Sequence, residues 1–141
     1  MILLDTDHLS VLTDSRVAGN AALVQRLKLA AEPLAIPIVA VEEQCKGWLA
    51  KIAHTRDIHQ QILPYQHLAV LFNFLAEWNI TSLSEAAADL FSQLRRQKIR
   101  IGSQDLKIAA IALTENALLL SANLRDFHKV PGLRVENWLP G

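Results

Sequence analysis

The 141-residue sequence predicts an α/β fold in which helices cover both faces of a central, mostly parallel sheet, making an α/β/α sandwich. Short apolar runs of strand length alternate with longer segments of helical periodicity, and this alternation is typical of βαβ units. A chain of about 150 residues buries roughly two-thirds of its unfolded surface, so this chain is long enough for a substantial core. We therefore expect residues 1–141 to form a single domain.

Composition limits the possible partners and compartments. Apolar residues make up 51% of the chain and charged residues 20%, which is a globular composition. The formal net charge is zero, so a nucleic-acid partner would have to be attracted by local clusters of Lys and Arg. The lone Cys45 excludes an intramolecular disulfide and a cysteine-based zinc site. Because no apolar stretch has the length of a signal peptide or a membrane span, we expect a cytoplasmic protein with no membrane partner.

The chain begins with an apolar run that stops abruptly at acidic residues. Residues 2–4 predict a buried strand that ends at Asp5. Open α/β folds keep their ligand sites at the carboxyl ends of such strands, which makes Asp5 a candidate site residue. Thr6 or Asp7 is predicted to cap a short helix through Leu12, because a side-chain oxygen there can accept from the free amides of the first turn.

Two further helices and a strand are expected next. Asn20 is predicted to cap an amphipathic helix at 21–32. The apolar run 34–39 predicts a strand, and Pro37 indicates the end of that strand or a position on a sheet edge. Helical spacing of apolar residues then predicts a helix at about 41–53.

The middle of the chain is predicted to be mainly helical. Residues 55–78 have helical character, and Pro64 is expected to break or kink them. A strand is expected at 79–83. Ser84 is predicted to start a helix that ends in the basic stretch 95–100.

The last part of the chain continues the alternation. Ser103 is predicted to cap a helix at 104–114, with a buried strand at 117–120. A short helix at 124–130 and an edge strand at 133–136 complete the predicted fold.

Three acidic residues have related places in this prediction. Asp5 ends a strand, and Glu43 and Asp105 fall in the first turns of helices, where the dipole and free amides favour an ionised carboxylate. Carboxylates suit a hard divalent cation, which can activate water and neutralise a phosphate during hydrolysis. Acids in first turns are also common as plain helix stabilisers, each contributing roughly 0.3–1 kcal/mol. Spacing alone leaves both interpretations open.

Four segments together resemble the PIN-domain family, and more narrowly the VapC-type toxins of bacterial type II toxin–antitoxin pairs. The resemblance runs from Met1 to about Trp138, with the segments in family order. They are LLDTDHLS at 3–10, EQCKG at 43–47, IGSQDLKIAAIAL at 101–113, and SANLRDF at 121–127 followed by VPGLR at 130–134.

The resemblance implies a PIN-like fold and a metal-dependent endoribonuclease toxin that cleaves RNA phosphodiester bonds. Asp5, Glu43 and Asp105 fall on the family's ligands for Mg²⁺ or Mn²⁺. Asn123 stands at the fourth acidic position, as a neutral ligand or a hydrogen bonder, and Asp126 could substitute for it. One or two metal ions therefore remain possible. The implied partners are RNA, a cognate VapB-type antitoxin and a second copy in a homodimer. The abundance of apolar residues suggests a groove for the antitoxin between the helices from Val41 and Thr55.

Other residues near these motifs could have either a functional or a structural role. The hydroxyls of Thr6 and Ser121 could orient a carboxylate or water, or only stabilise turns. Gly47 could let an RNA strand approach, or could make a helix-packing contact. The basic stretch 95–100 could line a phosphate path, or could simply suit the dipole at a helix end. His8 is interpreted as a local hydrogen bonder.

Two alternative functions remain at this point. The run from the first strand through Asp5-Thr6-Asp7 also approaches the motif of haloacid-dehalogenase-like phosphatases, with Asp5 as covalent nucleophile and Asp7 as acid/base. Leu9 departs from that motif, and the chain is short for that fold. The other alternative is a non-catalytic PIN-like module that binds RNA or protein.

Overall fold

The computed structural model describes residues 1–140; Gly141, the last residue of the predicted domain, lies outside the described residues. Five parallel strands form one sheet in the order β3-β2-β1-β4-β5, so that β1 lies at its centre. The predicted α/β architecture with a parallel sheet is confirmed. The strands are β1 (Ile2–Leu4), β2 (Leu34–Pro37), β3 (Asn79–Thr81), β4 (Leu118–Leu120) and β5 (Arg134–Glu136).

Helices connect the strands and cover both faces of the sheet. A single 3₁₀ turn at Ile58–Gln61 lies between the third and fourth helices. Within residues 1–140, no helix is long and apolar enough to cross a membrane. The helices are α1 (Thr6–Leu12), α2 (Asn20–Ala30), α3 (Ile38–His54), α4 (Ile62–Leu75), α5 (Glu85–Arg96), α6 (Ser103–Thr114) and α7 (Leu124–Phe127).

The alternation of side chains along β1 divides the core between two layers. Leu3 faces a cluster with the buried residues of α5 and α6. Ile2 and Leu4 face the opposite layer, where they pack on α2. On that same side, buried apolar residues of α1, α3 and α4 pack around Ile36 of β2. β1 is therefore buried on both faces, as its uninterrupted apolar sequence predicted.

The starts of three helices differ from the prediction. Asp5 occupies the N-cap of α1, in place of Thr6 or Asp7. Gly19 occupies the N-cap of α2 at φ 90°, which only glycine adopts without strain. Asn20 is the first residue of the helix, and its side-chain Nδ2 donates to the Val11 carbonyl. Gly102 occupies the N-cap of α6, so that Ser103 is already helical.

The break expected at Pro64 occurs earlier in the chain. Pro64 is the third residue of α4, where its missing N–H has no helical partner to lose, so it neither breaks nor kinks the helix. The chain turns instead in the 3₁₀ segment, whose start is capped by Asp57 accepting from the Gln60 amide at 3.2 Å. The prediction for Ser84 is confirmed, since its side chain accepts from the Ala87 amide at 3.1 Å.

Candidate active site

The parallel sheet brings several polar residues to one edge. β2, β1 and β4 are neighbours in the sheet, so their carboxyl ends lie side by side. Asp5 follows β1, α3 with Glu43 follows β2, and the loop 121–123 follows β4. Helix α6 runs back against the sheet before β4, which places Asp105 in its first turn at the same edge.

Asp5 is held by hydrogen bonds on both of its carboxylate oxygens. Its backbone N–H continues the sheet by donating to the Leu120 carbonyl at 2.9 Å. Oδ1 accepts from the Thr6 amide at 2.7 Å, and Oδ2 accepts from the Ser121 hydroxyl at 2.7 Å. The residue is only 6% exposed, and this burial raises the pKa of the Asp5 carboxyl despite the two donors.

Glu43 lies deeper in its helix than the sequence predicted. α3 begins at Ile38 because Pro37, with its fixed φ, occupies the N-cap, so no acidic residue lies in the first turn. The helix-dipole argument for Glu43 is therefore wrong. The Thr6 hydroxyl instead donates to Glu43 Oε1 at 3.2 Å. Burial raises the pKa of Glu43, and the charge of Asp5 raises it further.

Asp105 and Asn123 meet directly. Asn123 Nδ2 donates to Asp105 Oδ2 at 3.0 Å and to Asp126 Oδ2 at 3.1 Å, so this amide joins two carboxylates. Its backbone N–H donates to Ser121 Oγ at 3.0 Å. Burial and then the charge of Asp5 raise the pKa of Asp105, whereas the bond from Asn123 lowers the pKa of Asp126.

The carboxylates of Asp5, Glu43 and Asp105 act on one another electrostatically. The charge of Asp5 raises the pKa of both other groups. The nearby lysines are engaged elsewhere: Lys46 lies 3.2 Å from Glu42, and Lys107 donates to Gln104 at 3.1 Å. The three acids thus form a concentration of negative charge.

The donor chemistry suits a hard divalent cation, although the side chains are not already gathered around one point. Carboxylate oxygens are the ligands that Mg²⁺ and Mn²⁺ prefer. Across residues 1–140, no three His, Cys, Asp or Glu side chains are arranged as a group that could hold a metal ion. Each acid instead accepts a hydrogen bond from a neutral donor on Thr6, Ser121 or Asn123.

Asp7 is engaged in a different network. Its Oδ1 accepts from the His8 amide at 2.7 Å and lies 2.6 Å from His8 Nδ1, and its Oδ2 accepts from the Ala122 amide at 2.9 Å. Burial alone would raise the pKa of Asp7, but these hydrogen bonds outweigh it and the pKa is lowered. An acid that stays ionised with both oxygens occupied is poorly suited to donate a proton, which disfavours the phosphatase alternative.

The expectation for His8 is confirmed in part and extended. His8 does bond locally, to Asp7, but its Nε2 also accepts from the Trp138 amide at 3.1 Å. Sequence reasoning missed this second contact because Trp138 is 130 residues away, and no spacing rule connects the two positions.

A shallow surface pocket of about 290 Å³ adjoins Glu43. Its lining includes Gly47, Trp48 and Lys51. A Cβ added at Gly47 would meet no atom within 4 Å, so the helix-packing interpretation of this glycine is wrong and the surface there is open. Trp48 is stacked on His67 with ring centroids 4.4 Å apart.

The basic stretch 95–100 has contacts of its own. Arg95 and Arg96 lie in the last turn of α5, where cations suit the helix dipole, and the Arg95 guanidinium lies 5.1 Å from the Phe91 ring. Both facts fit the structural interpretation of this stretch.

The chain resembles known proteins in sequence. The family model of the PIN domain matches residues 2–133. Ribonuclease VapC2 of Haemophilus influenzae is 38% identical over 80 residues, and the match covers 54% of this chain and 61% of that protein. The tRNA(fMet)-specific endonuclease VapC of Salmonella typhimurium is 29% identical over 83 residues, 56% of this chain and 63% of that protein. These matches therefore span less than two-thirds of either relative.

A solved structure extends the likeness to nearly the whole chain. VapBC2 from Rickettsia felis, bound to a DNA fragment from its promoter, superposes with a TM-score of 0.76 at 25% identity. The superposition covers 98% of this chain and 99% of that one. The sequence resemblance is thereby confirmed, and the chain belongs to the PIN-domain family.

Proposed function

We propose that this chain is a Mg²⁺- or Mn²⁺-dependent endoribonuclease toxin that hydrolyses RNA phosphodiester bonds. The observation that carries the proposal is the placement of Asp5, Glu43 and Asp105, which come from three separate elements, at the same edge of the sheet. Asp5 is buried, and its charge raises the pKa of the two partly buried carboxylates, an arrangement that a bound cation would stabilise. The names of the VapC relatives, both of them nucleases, support the same reaction class.

Asp5, Glu43 and Asp105 are the residues that would hold the cation. A divalent ion at this edge supplies an activated water and neutralises charge on the phosphate. The neighbouring groups of the chain orient these ligands. Thr6 holds Glu43, and Ser121 holds Asp5.

Asn123 has a distinct part in this proposal. Its amide group donates to Asp105, and so it positions a ligand without adding a fourth negative charge. A site with three carboxylates carries less repulsion than one with four, which favours a single divalent ion over a pair. Asp126 stays tied to the same amide and is not needed as a ligand.

The open surface beside Glu43 is the proposed path for RNA. Gly47 leaves space above α3, and Lys51 contributes a positive charge at the same pocket. An RNA backbone that passed there would reach the carboxylates from solvent. Because the protein has no net positive charge, the local positive charge of Lys51 would attract the phosphates. Action on cellular RNA would place the protein in the cytoplasm.

A VapB-type antitoxin is the proposed inhibitory partner, and a homodimer the proposed assembly. The similar Rickettsia structure is a VapBC2 complex. A cavity of about 360 Å³ lies where α1, α3 and α4 meet, and its lining includes Gln44, Trp48, His67 and Val70. An antitoxin segment bound there would lie next to the pocket at Glu43, which shares Gln44 and Trp48 with this cavity.

Expression of the chain alone in a bacterium, beside its Asp5→Asn variant, tests the proposal. We expect the native chain to arrest growth and create new RNA ends, including in initiator tRNA, and Asp5→Asn to do neither. A non-catalytic binding module would keep its growth effect in the variant. Absence of new RNA ends with the native chain would contradict the nuclease.

Two neighbouring glutamates offer a matched control for the same experiment. Glu43→Gln should abolish RNA cleavage, because it removes a proposed ligand. Glu42→Gln should not, since Glu42 is bonded to Gln104 at 2.8 Å and to Lys46, outside the proposed ligand set.

A further inference from the structure

A series of hydrogen bonds, centred on the buried side chain of His8, links the carboxy-terminal segment to the loop after β4. The Trp138 amide donates to His8 Nε2 at 3.1 Å, His8 Nδ1 lies 2.6 Å from Asp7 Oδ1, and the Ala122 amide donates to Asp7 Oδ2 at 2.9 Å. Ala122 lies between Ser121 and Asn123, which hold the proposed ligands Asp5 and Asp105. The series therefore ends at the loop that orients two ligands.

The direction of each hydrogen bond follows from the donors available. A backbone N–H can only donate, so His8 Nε2 must accept from Trp138. The neutral ring then carries its proton on Nδ1 and donates it to Asp7. The His8 side chain is 0% exposed, and both of its nitrogens have partners, as a buried polar ring requires.

The carboxy-terminal segment is itself firmly packed. The guanidinium of Arg26 lies 4.2 Å from the Trp138 ring centroid, and the Trp138 indole N–H donates to Glu136 at 2.7 Å. A Cβ at Gly19 would lie 2.8 Å from Pro140 Cδ, which shows how closely this segment approaches the turn before α2. The Trp138 amide is thus held in a defined place.

We propose that Asp7, His8 and the Trp138 amide form a positioning relay for the active-site loop. Asp7 fixes Ala122, His8 fixes the orientation of Asp7, and Trp138 fixes the tautomer of His8. The relay thereby keeps Ser121 against Asp5 and Asn123 against Asp105. The proposal rests on the proposed metal-dependent function, and it makes Asp7 and His8 positioning residues, which need not touch metal or substrate.

Two substitutions at His8 separate the two halves of the relay. In His8→Asn, the side-chain amide can stand near the place of Nδ1 and keep the donor to Asp7, but it does not reach Trp138. In His8→Gln, the side-chain carbonyl can stand near the place of Nε2 and accept from Trp138, but the side-chain donor to Asp7 is lost and only the backbone N–H at position 8 still bonds Asp7. Because Asp7 contacts the loop directly, the proposal ranks His8→Gln as the more damaging change.

The test measures Mn²⁺ affinity by calorimetry and exchange of the Ala122 amide by NMR in the metal-free protein. We expect His8→Gln to weaken Mn²⁺ binding about 10-fold, the lower end of the range for a group that bonds a metal ligand directly, because His8 acts on the ligands through Asp7 and the loop. His8→Asn keeps the side-chain donor to Asp7, so its Mn²⁺ affinity should stay within about threefold of the native value. The Ala122 amide should exchange faster in His8→Gln than in His8→Asn.

A second pair of variants covers the case in which a His8 variant does not fold. Trp138→Pro and Trp138→Ala both remove the indole, but only the proline variant removes the amide that donates to His8. Without that amide, the His8 proton can sit on Nε2, and the donor to Asp7 is then lost. Weaker Mn²⁺ binding in Trp138→Pro than in Trp138→Ala therefore supports the relay.

The outcomes distinguish the relay from the function on which it rests. Unchanged Ala122 exchange and unchanged Mn²⁺ affinity in His8→Gln and in Trp138→Pro would overturn the relay. A purely structural role would lower the unfolding midpoints and leave both of these quantities unchanged in the folded protein, and it would overturn the relay equally. If the native chain bound no Mn²⁺, the proposed function would fail, while the exchange measurements would still decide the relay.

Discussion

The hydroxyl of Ser121 donates a 2.7 Å hydrogen bond to Oδ2 of Asp5, between residues that are 116 positions apart in the chain. Both residues are buried, and each stands at the carboxyl end of a strand in the centre of the sheet. A buried carboxylate without such a donor would be costly. The hydrogen bond from Ser121 therefore stabilises the buried carboxylate of Asp5 at the base of the proposed site.

Replacement of Ser121 by alanine should weaken the site and the fold together. Loss of one partner of a buried hydrogen bond costs about 1–3 kcal/mol, so Ser121→Ala should lower the free energy of unfolding by that amount, measured by urea denaturation. Ser121→Thr, which keeps the hydroxyl, is the control. Equal stabilities of the two variants would show that the bond to Asp5 contributes little.

Asp5 and Asp7 should affect the pH dependence of stability in opposite directions. The pKa of Asp5 is raised in the folded protein, so in metal-free protein the native state binds its proton more tightly than the unfolded state does. As pH rises from the ordinary aspartate pKa of 3.8 through the raised pKa, the stability contributed by Asp5 is lost. The pKa of Asp7 is lowered, so its contribution is present above 3.8 and is lost as pH falls through the lowered pKa.

The prediction for Asp5 is checked by urea unfolding at several pH values without divalent metal. Asp5→Asn should be more stable than the native chain at neutral pH, and the difference should shrink as the pH falls. The same variant should lose RNA cleavage by about 100-fold or more, the scale on which loss of one group that stabilises transition-state charge is felt. An Asp5→Asn protein that is less stable at every pH would contradict this account of the carboxylate.

Divalent metal should stabilise the folded chain. A ligand that binds only the native state at 100 times its dissociation constant adds about 2.7 kcal/mol, so Mg²⁺ or Mn²⁺ should raise the thermal midpoint of the native chain. Glu43→Gln should reduce this shift, and Glu42→Gln should retain it. A shift that persists in Glu43→Gln and disappears in Glu42→Gln would move the proposed site away from Glu43.

Asn123→Asp should make the metal-free protein less stable and the metal effect larger. The change removes the donor to Asp105 and Asp126 and adds a like charge beside both. A loss of about 1–3 kcal/mol is expected from the lost hydrogen bonds, and added Mn²⁺ should restore more stability than it adds to the native chain. Thermal unfolding with and without Mn²⁺ measures both effects. If the metal shift stayed the same, Asn123 would lie too far from the cation to influence it.

The architecture was predictable because it rests on local patterns. Apolar runs such as residues 2–4 and the Ser84 cap are determined by nearest neighbours in the chain, and the structure confirms them. Helix starts were less predictable, because Pro37 and Gly102 compete as caps with the residues beside them. For that reason Glu43 lies in the second turn of its helix, and not in the first turn as predicted. Its place beside Thr6 follows from packing.

By itself, the sequence determined the α/β class, the parallel sheet, and Asp5 and Asp105 as acids at a strand end and a helix start. Periodicity and turn chemistry act over a few residues, so one sequence is enough to read them. Only the tertiary structure decided that Asn123 holds Asp105, that Ser121 holds Asp5, and that Trp138 reaches His8. These contacts join distant parts of the chain, and they depend on sheet order and on side-chain direction, which no local pattern contains.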